Sequence, residues 1–268
     1  MQFLLNLPPP LSFFIVSAVT TFLALAGLYL VRRKYSAEVL KENHEVAAII
    51  FNAFGLFYGV LLAFVVFVTW SGYDEATKNL QLEANEVADI FHITQVFPQP
   101  SGERIRRTLF DYVTSVYDDE LKRMSEGEVS LHSNRAMINL INEFYQINES
   151  SVPNREIYAE ALKRFNNLAE YRRLRIFAGN DTVPSVVWLV LLVGSVISIS
   201  YTYVFGMKNI RAQYLIAGSL TVTITLILFL IYVLDHPFTG TSKVSAEPLR
   251  QVMGILQKDQ HTQPSSIP

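Results

Sequence analysis

Apolar and polar positions along this chain follow two different rules. In residues 11–31, 46–70, 184–205 and 213–234 the apolar run is nearly unbroken and contains no Asp, Glu, Lys, Arg or His. A hydrocarbon core of roughly 30 Å takes about 20 helical residues at about 1.5 Å each, so each run is long enough to cross a bilayer. A buried helix of a soluble protein would normally keep a polar stripe. Residues 71–183 obey the second rule, with charges every few positions and apolar residues recurring at three and four. Ala76, Leu80, Leu82, Val87, Ile90 and Ile93 alternate with Glu75, Glu83, Glu86 and Asp89, so the second span is expected to continue outside the membrane as an amphipathic helix over 74–96. "FPQPSGE" breaks it, because proline does not continue a helix. A helix from Ser101 to about Met124 follows, with Ile105, Leu109, Tyr112, Val116 and Leu121 on one side. A shorter one is expected over 134–147, and Pro153, a favoured first-turn residue, opens the last, to about Ala178. "GNDTVP" ends that helix and Pro184 starts the third span.

No convincing alternating strand pattern and no fixed-period repeat occurs, so the expected fold class is an all-α membrane protein: four transmembrane helices with a helical extramembrane domain between the second and third. The expected division is 1–71 for spans 1 and 2, 72–183 for the extramembrane domain, 184–235 for spans 3 and 4, and 236–268 for a C-terminal tail. That tail is read as losing its periodicity after Leu234, and its polar, proline-bearing end "KDQHTQPSSIP" as disordered.

Composition agrees, with 50% hydrophobic and 17% charged residues among 268 and a mean hydropathy of +0.26. The first span is read as a retained helix and not a secretory signal, since "MQFLLNLPPP" before it carries no basic residue and Arg32, Arg33 and Lys34 follow it. No cysteine is present, which removes disulfides and thiolate chemistry. The net charge of −2 gives no footprint for nucleic acid. The basic clusters Arg104, Arg106, Arg107 and Arg172, Arg173, Arg175, and the acidic run Asp118, Asp119, Glu120, are expected to be solvated helix faces or headgroup contacts. None of His44, His92, His132, His236 and His261 has a partner at zinc-ligand spacing, and the glycine-rich phosphate loops and the GxSxG elbow are absent. Neither an enzyme, a cofactor nor a metal is expected.

What remains distinctive is "NAFGLFYGVLLAFVVFVTWSGYDEA", residues 52–76. An amide at Asn52 facing lipid would lose its hydrogen bonds, so it should face another helix or water. Gly55 and Gly59 share a face at i, i+4, which suits close helix packing. Asn52, Leu56 and Val60 share a stripe at i, i+4, i+8, and two readings stand: the stripe packs against another helix, or it lines a narrow pore about a symmetry axis. Trp70 and Tyr73 mark the membrane boundary as interfacial anchors under either. A proton-coupled transporter usually keeps an ionisable relay within its spans, whereas a hydrophobic-gated channel needs none.

"FYGVLLAFVVFVTWSGY" resembles the second transmembrane helix of bestrophins. "RRTLFDYV" is similar to their R-x-L-x-x-Y segment, "VPSVVWLVLL" to their proline-started third membrane helix, and "LDHPFTG", with His236, Pro237, Phe238 and Gly240, to their turn after the last one. The order and rough spacing agree over most of 46–240, and the chain looks most like the bacterial bestrophin-like branch. Bestrophins are pentameric anion channels whose second helices surround a hydrophobic neck. The resemblance therefore implies a homo-oligomer, pentameric, passing small inorganic anions such as chloride, in contact with membrane lipids and without nucleic acid. Anchored on Trp70 and Tyr73, the neck falls at Asn52, Leu56 and Val60, and an offset of one brings in Ala53 and Phe57. Where the family's neck is rich in aromatics, this stripe is not. After the turn, "TSKVSAEP" offers only Glu247 in place of the acidic calcium clasp of animal members, so no calcium site is expected.

The resemblance also implies a multi-pass protein of the bacterial inner membrane with its helical domain in the cytoplasm. Arg32, Arg33, Lys34 and Lys41 in one short connection and Lys208 and Arg211 in the other pull the opposite way under the positive-inside rule. The alternative to a channel is a non-conducting scaffold or sensor whose helical domain binds a partner.

Overall fold

The computed structural model describes residues 7–36, 40, 44–128, 130–147, 152, 154–207 and 209–262. Pro153, Lys41, Lys208 and 263–268, on which expectations about a helix start, topology and tail disorder fall, lie outside the described residues. All regular structure among the described residues is helical. Helix α1 is Pro9–Lys34, α2 is His44–Thr94, α7 is Ser185–Val204 and α8 is Ile210–Leu234. These contain four segments long and apolar enough to cross a membrane, as expected. The chain divides into two compact units, and the uninterrupted α2 contributes to both.

The first unit lies within Met1–Gly72, Thr182–Asp235 and Gly240–Ser242. Lipid tails are as apolar as leucine, so packing and interhelical hydrogen bonds hold membrane helices together. Helix α1 lies against α8 and α7, with Thr20 and Thr225 sharing a hydroxyl hydrogen bond of 2.9 Å. Tyr203 donates to the Ala24 carbonyl across 2.7 Å. Helix α2 joins through Tyr58, Leu62 and Val65, which pack with Leu191, Ile224 and Ile231. The Tyr58 hydroxyl donates to the Leu191 carbonyl at 2.7 Å, and its ring lies flush on Gly194, where any Cβ would overlap it. Just before α7 the Val183 N–H donates to Asp235 Oδ1 at 2.7 Å, so the carboxylate that ends the last span satisfies an orphan donor at the start of the third.

The second unit lies within Tyr73–Asp181, His236–Thr239 and the segment from Lys243. Its helices after α2 are α3 Ser101–Ser115, a π-helical turn Val116–Glu120, α4 Leu121–Ser125, α5 Leu131–Tyr145, α6 Arg155–Asn180 and α9 Glu247–Thr262. Helix α5 begins three residues before the expected start because Ser130 Oγ accepts from the Ser133 N–H at 3.0 Å. Asn154 caps α6 in the same way, accepting from Glu156 N–H at 2.8 Å. The tail corrects the sequence reading. Periodicity is not lost after Leu234, because Leu249, Val252 and Leu256, at i, i+3, i+7, form one buried stripe of α9 and join the core with Phe238 and Val244.

Gly194→Ala drives a methyl into the Tyr58 ring and should destabilise the first unit by about 1–3 kcal/mol, as overpacking does in tight cores. Thermal unfolding in detergent followed by tryptophan fluorescence measures it. In a Tyr58→Ala background the same change should cost much less, because the clashing ring is gone.

Candidate functional site

The apolar part of α2 has two faces. Tyr58, Leu62, Val65 and Thr69 are buried against the rest of the first unit. Asn52, Ala53, Leu56, Phe57 and Val60 all stand exposed, Leu56 at 66% and Phe57 at 75%, so the stripe touches no other part of its own chain closely enough to be covered. Gly55 and Gly59 lie on the same open side, and a Cβ at either would meet nothing within 4 Å. The structure therefore brings Asn52, Leu56 and Val60 together as one line along the helix, with Ala53 and Phe57 beside it and no acidic or basic side chain among them.

Further along α2, Trp70 is exposed while Tyr73 is half-buried and packs on the core of the second unit. The residues of the expected turn after the last span form a folded anchor. Phe238 is buried against Gly179, where a Cβ would come within 2.9 Å of its ring. Val244 N–H donates to the Pro237 carbonyl at 2.7 Å and Thr239 N–H to the His236 carbonyl at 3.1 Å. Gly240 has φ +78°, a left-handed conformation that glycine adopts without a steric penalty.

A group that the sequence reading placed in solvent occupies the middle of the second unit. Arg172, Arg175 and Glu120 are buried, Arg175 completely, together with Glu83 of α2. Arg175 Nε donates to Glu83 Oε2 at 2.5 Å, and its Nη2 reaches Glu83 Oε1 at 3.1 Å and Glu120 Oε1 at 2.5 Å. Its Nη1 lies 3.0 Å from the Met124 sulfur. Arg172 pairs with both oxygens of Glu120 and donates to Asn134 Oδ1 at 2.7 Å. Tyr112 donates to Glu83 Oε1 at 2.5 Å. Two guanidinium groups and two carboxylates balance, and each has hydrogen-bonded partners, which is what makes burial of such charges affordable. The expectation of solvated faces thus fails for Arg172, Arg175 and Glu120, and also for Arg106, which is buried and donates to the Thr94 carbonyl at 2.9 Å, capping the end of α2. Asp118 stays exposed and Asp119 pairs at the surface with Arg123, so within the acidic run only Glu120 turns inward.

The π turn explains that turning. Eight α-helical residues from Tyr112 would leave Glu120 about 80° past the Tyr112 face, whereas the extra residue held in an i→i+5 turn takes back about 100°. Glu120 consequently returns to the Tyr112 side. A signal for the cluster was present in the sequence. Glu83 lies in phase with Ala76, Leu80, Val87 and Ile90, and Arg172 and Arg175 in phase with Ala161, Phe165 and Leu168, each on a stripe that is otherwise buried.

Burial by itself would raise the Glu120 carboxyl, but Arg175 and Arg172 outweigh it and hold the group below the ordinary glutamate range. Burial, reinforced by the Glu83 carboxylate, pushes the Tyr112 hydroxyl well up, which keeps it a neutral donor. The Arg175 guanidinium is raised despite its burial, because Glu83 and Glu120 face it.

Four apolar helices, a second one open along a neutral stripe and continued into a helical extramembrane unit, define a membrane protein built around that long helix. Comparison with known folds places it more narrowly. Crystal structures of a bacterial bestrophin homolog from Klebsiella pneumoniae match with TM-scores of 0.74 and 0.71 at 14% identity, covering 93% and 94% of this chain and 99% of that one. A crystal structure described as a membrane protein matches at 0.70, again at 14% identity, over 94% of this chain and 99% of the other. No curated protein matches in sequence. A family model, the Bestrophin-like domain, matches residues 17–249, and the chain belongs to that family.

Arg175→Ala leaves Glu83 and Glu120 buried without their shared partner, and should cost about 3–5 kcal/mol of stability in the second unit, read by denaturant unfolding with far-UV circular dichroism. Acid should act through the same cluster. The folded pKa of Glu120 is depressed, so its contribution is complete above the unfolded value of about 4.3 and is lost as pH falls through the folded value. Glu120→Gln should lower stability above that window and flatten the acid-side slope.

Proposed function

We propose that the chain is one subunit of a homo-oligomeric channel that passes small anions such as chloride, with the second span lining a hydrophobic constriction. The observation that carries this reading is the exposed line Asn52, Leu56, Val60, which no described residue of its own chain covers and which carries no charge. Placed around a symmetry axis, such lines form a ring whose side chains set a dewetting barrier, and the Asn52 amide supplies a neutral dipole for an ion that has shed water. Membership of the Bestrophin-like family supports the channel class, and the pentameric assembly follows that family's pattern. We assign the protein to the bacterial inner membrane with the second unit in the cytoplasm. The open side of Gly55 and Gly59 favours a second reading, a non-conducting scaffold in which this face only packs against a neighbouring helix.

Leu56→Ala separates the two. In planar bilayers a lining residue shortened in this way should widen the constriction and raise single-channel conductance, with the reversal potential still following the chloride gradient. A packing residue should instead leave a cavity that loosens the oligomer on native gels, by about 2–5 kcal/mol if membrane interfaces behave as soluble cores do. Weakened assembly without a gain in current would favour the scaffold. Reporter fusions near Ser130 and at the C-terminus should both be active in the cytoplasm, and a periplasmic signal at Ser130 would reverse the assigned orientation.

A further inference from the structure

The first unit contains a second feature that a channel does not require. An apolar cleft of about 700 Å³ lies among α1, α7 and α8, walled by Leu23, Ala24, Val196, Ile199, Leu228 and Phe229 among others. Most polar side chains at its wall have partners in the protein: Thr20 with Thr225, Tyr203 on the Ala24 carbonyl, Ser195 on the Leu192 carbonyl at 2.7 Å, and Trp188 Nε1 on Asp235 Oδ2 at 3.4 Å. Ser200 is exposed, and the rest of the lining is mostly apolar. All three helices carry candidate membrane spans, so the cleft lies at the depth of the hydrocarbon core.

At one end of these spans the chemistry changes sign. Helix α1 finishes with Arg32, Arg33 and Lys34 in its last turn, and Arg211 stands in the first turn of α8. No acidic residue occurs in 9–36 or in 205–234, and the next acids along the chain are Glu38, Glu42 and Glu45, after α1. The Arg32 Nη2 donates to the Met207 carbonyl at 3.1 Å, which ties the guanidinium to the α7–α8 connection. Its Nη1 is buried and has no hydrogen-bond partner among the described residues. A buried guanidinium nitrogen left without an acceptor is unfavourable, and an anionic oxygen is the partner that suits it best. Arg32 follows the cleft residue Ala24 by eight positions on one helix, about 12 Å along the axis. That is a short reach for a molecule with a charged head and a hydrocarbon chain.

We propose that these two features form a binding site for a single anionic phospholipid, with its phosphate on Arg32, Arg33 and Arg211 adding charge at the same end, and one acyl chain lying in the cleft. Charge complementarity selects the headgroup, and the apolar cleft distinguishes a lipid from a free anion. The site uses neither the Asn52 stripe nor the ion pathway, so it stands or falls independently of conduction.

The test uses Ile199→Trp, at a position that lines the cleft eight residues before Met207, about 12 Å along the axis from the basic end. With Trp70→Phe and Trp188→Phe the introduced tryptophan becomes the only indole, since the chain has two tryptophans. The full chain is reconstituted with chain-brominated phosphatidylglycerol or phosphatidylcholine at graded mole fractions, and quenching of the introduced tryptophan is recorded. Phosphatidylglycerol should reach half-quenching at a mole fraction about fivefold or more below phosphatidylcholine. Arg32→Gln and, separately, the exposed Arg211→Gln should each reduce that preference, and Val196→Phe, which fills the cleft, should reduce quenching by both lipids. Equal quenching by the two headgroups, or a preference that survives both arginine changes, would overturn the proposal. So would loss of the preference on adding millimolar inorganic phosphate, which would reassign the basic end to a free anion.

Discussion

The buried contact of Arg175 with Glu83 and Glu120 is the constraint on which the extramembrane architecture depends. Arg175 is completely buried, and a guanidinium in that position is tolerable only with its carboxylates in place. Three separate stretches must therefore meet there: the continuation of the second span through Glu83, the π turn through Glu120, and the long α6 through Arg175 and Arg172. A slip of any one of these by a residue would rotate a charge into an apolar core. The cluster thus fixes helix register in a way that the surrounding Leu, Val and Ile contacts, which tolerate exchange of similar volumes, do not. The π turn is part of this solution, since a continuous α-helix would have carried Glu120 past the cluster.

In the membrane unit the same problem is solved with weaker tools. No charge is buried in the middle of a span, and helices are joined by single hydroxyl contacts such as Thr20 with Thr225 and by tyrosines reaching backbone carbonyls. Each hydroxyl serves two ends, because it satisfies its own hydrogen bonding and pins a neighbouring helix at one height. Gly194 lets the Tyr58 ring approach closely enough for its hydroxyl to reach the Leu191 carbonyl. This economy leaves one side of the second helix uncovered within the chain, and that side is the one on which the proposed function rests.

Family membership and fold similarity limit what the exposed stripe can mean without deciding it. At 14% identity the crystal structures of the Klebsiella pneumoniae homolog transfer the architecture and not the side chains. The stripe here is Asn, Leu and Val, so under the proposed reading any barrier it sets depends on smaller groups than an aromatic neck would present.

The sequence by itself determined the four spans, the helical domain between them, the proline-bearing breaks before α3 and before the third span, and the line Asn52, Leu56, Val60. These follow from periodicity and from length against the bilayer, which are local properties. It also held the buried cluster in readable form, as charges in phase with apolar stripes at Glu83, Arg172 and Arg175. Yet periodicity alone does not say that a charge stays in phase because it has a partner, and the partner is remote in the chain. Glu120 was less legible still, because an i→i+5 turn shifts phase without any residue that announces it. The α9 stripe was hard to see because its apolar residues, Leu249, Val252, Met253, Ile255 and Leu256, are scattered through a mostly polar 16-residue segment. What the tertiary structure alone decided was which charges meet and which face stays open, since the stability of a buried ion and the exposure of a helix side both depend on neighbours that the chain brings together only when it folds.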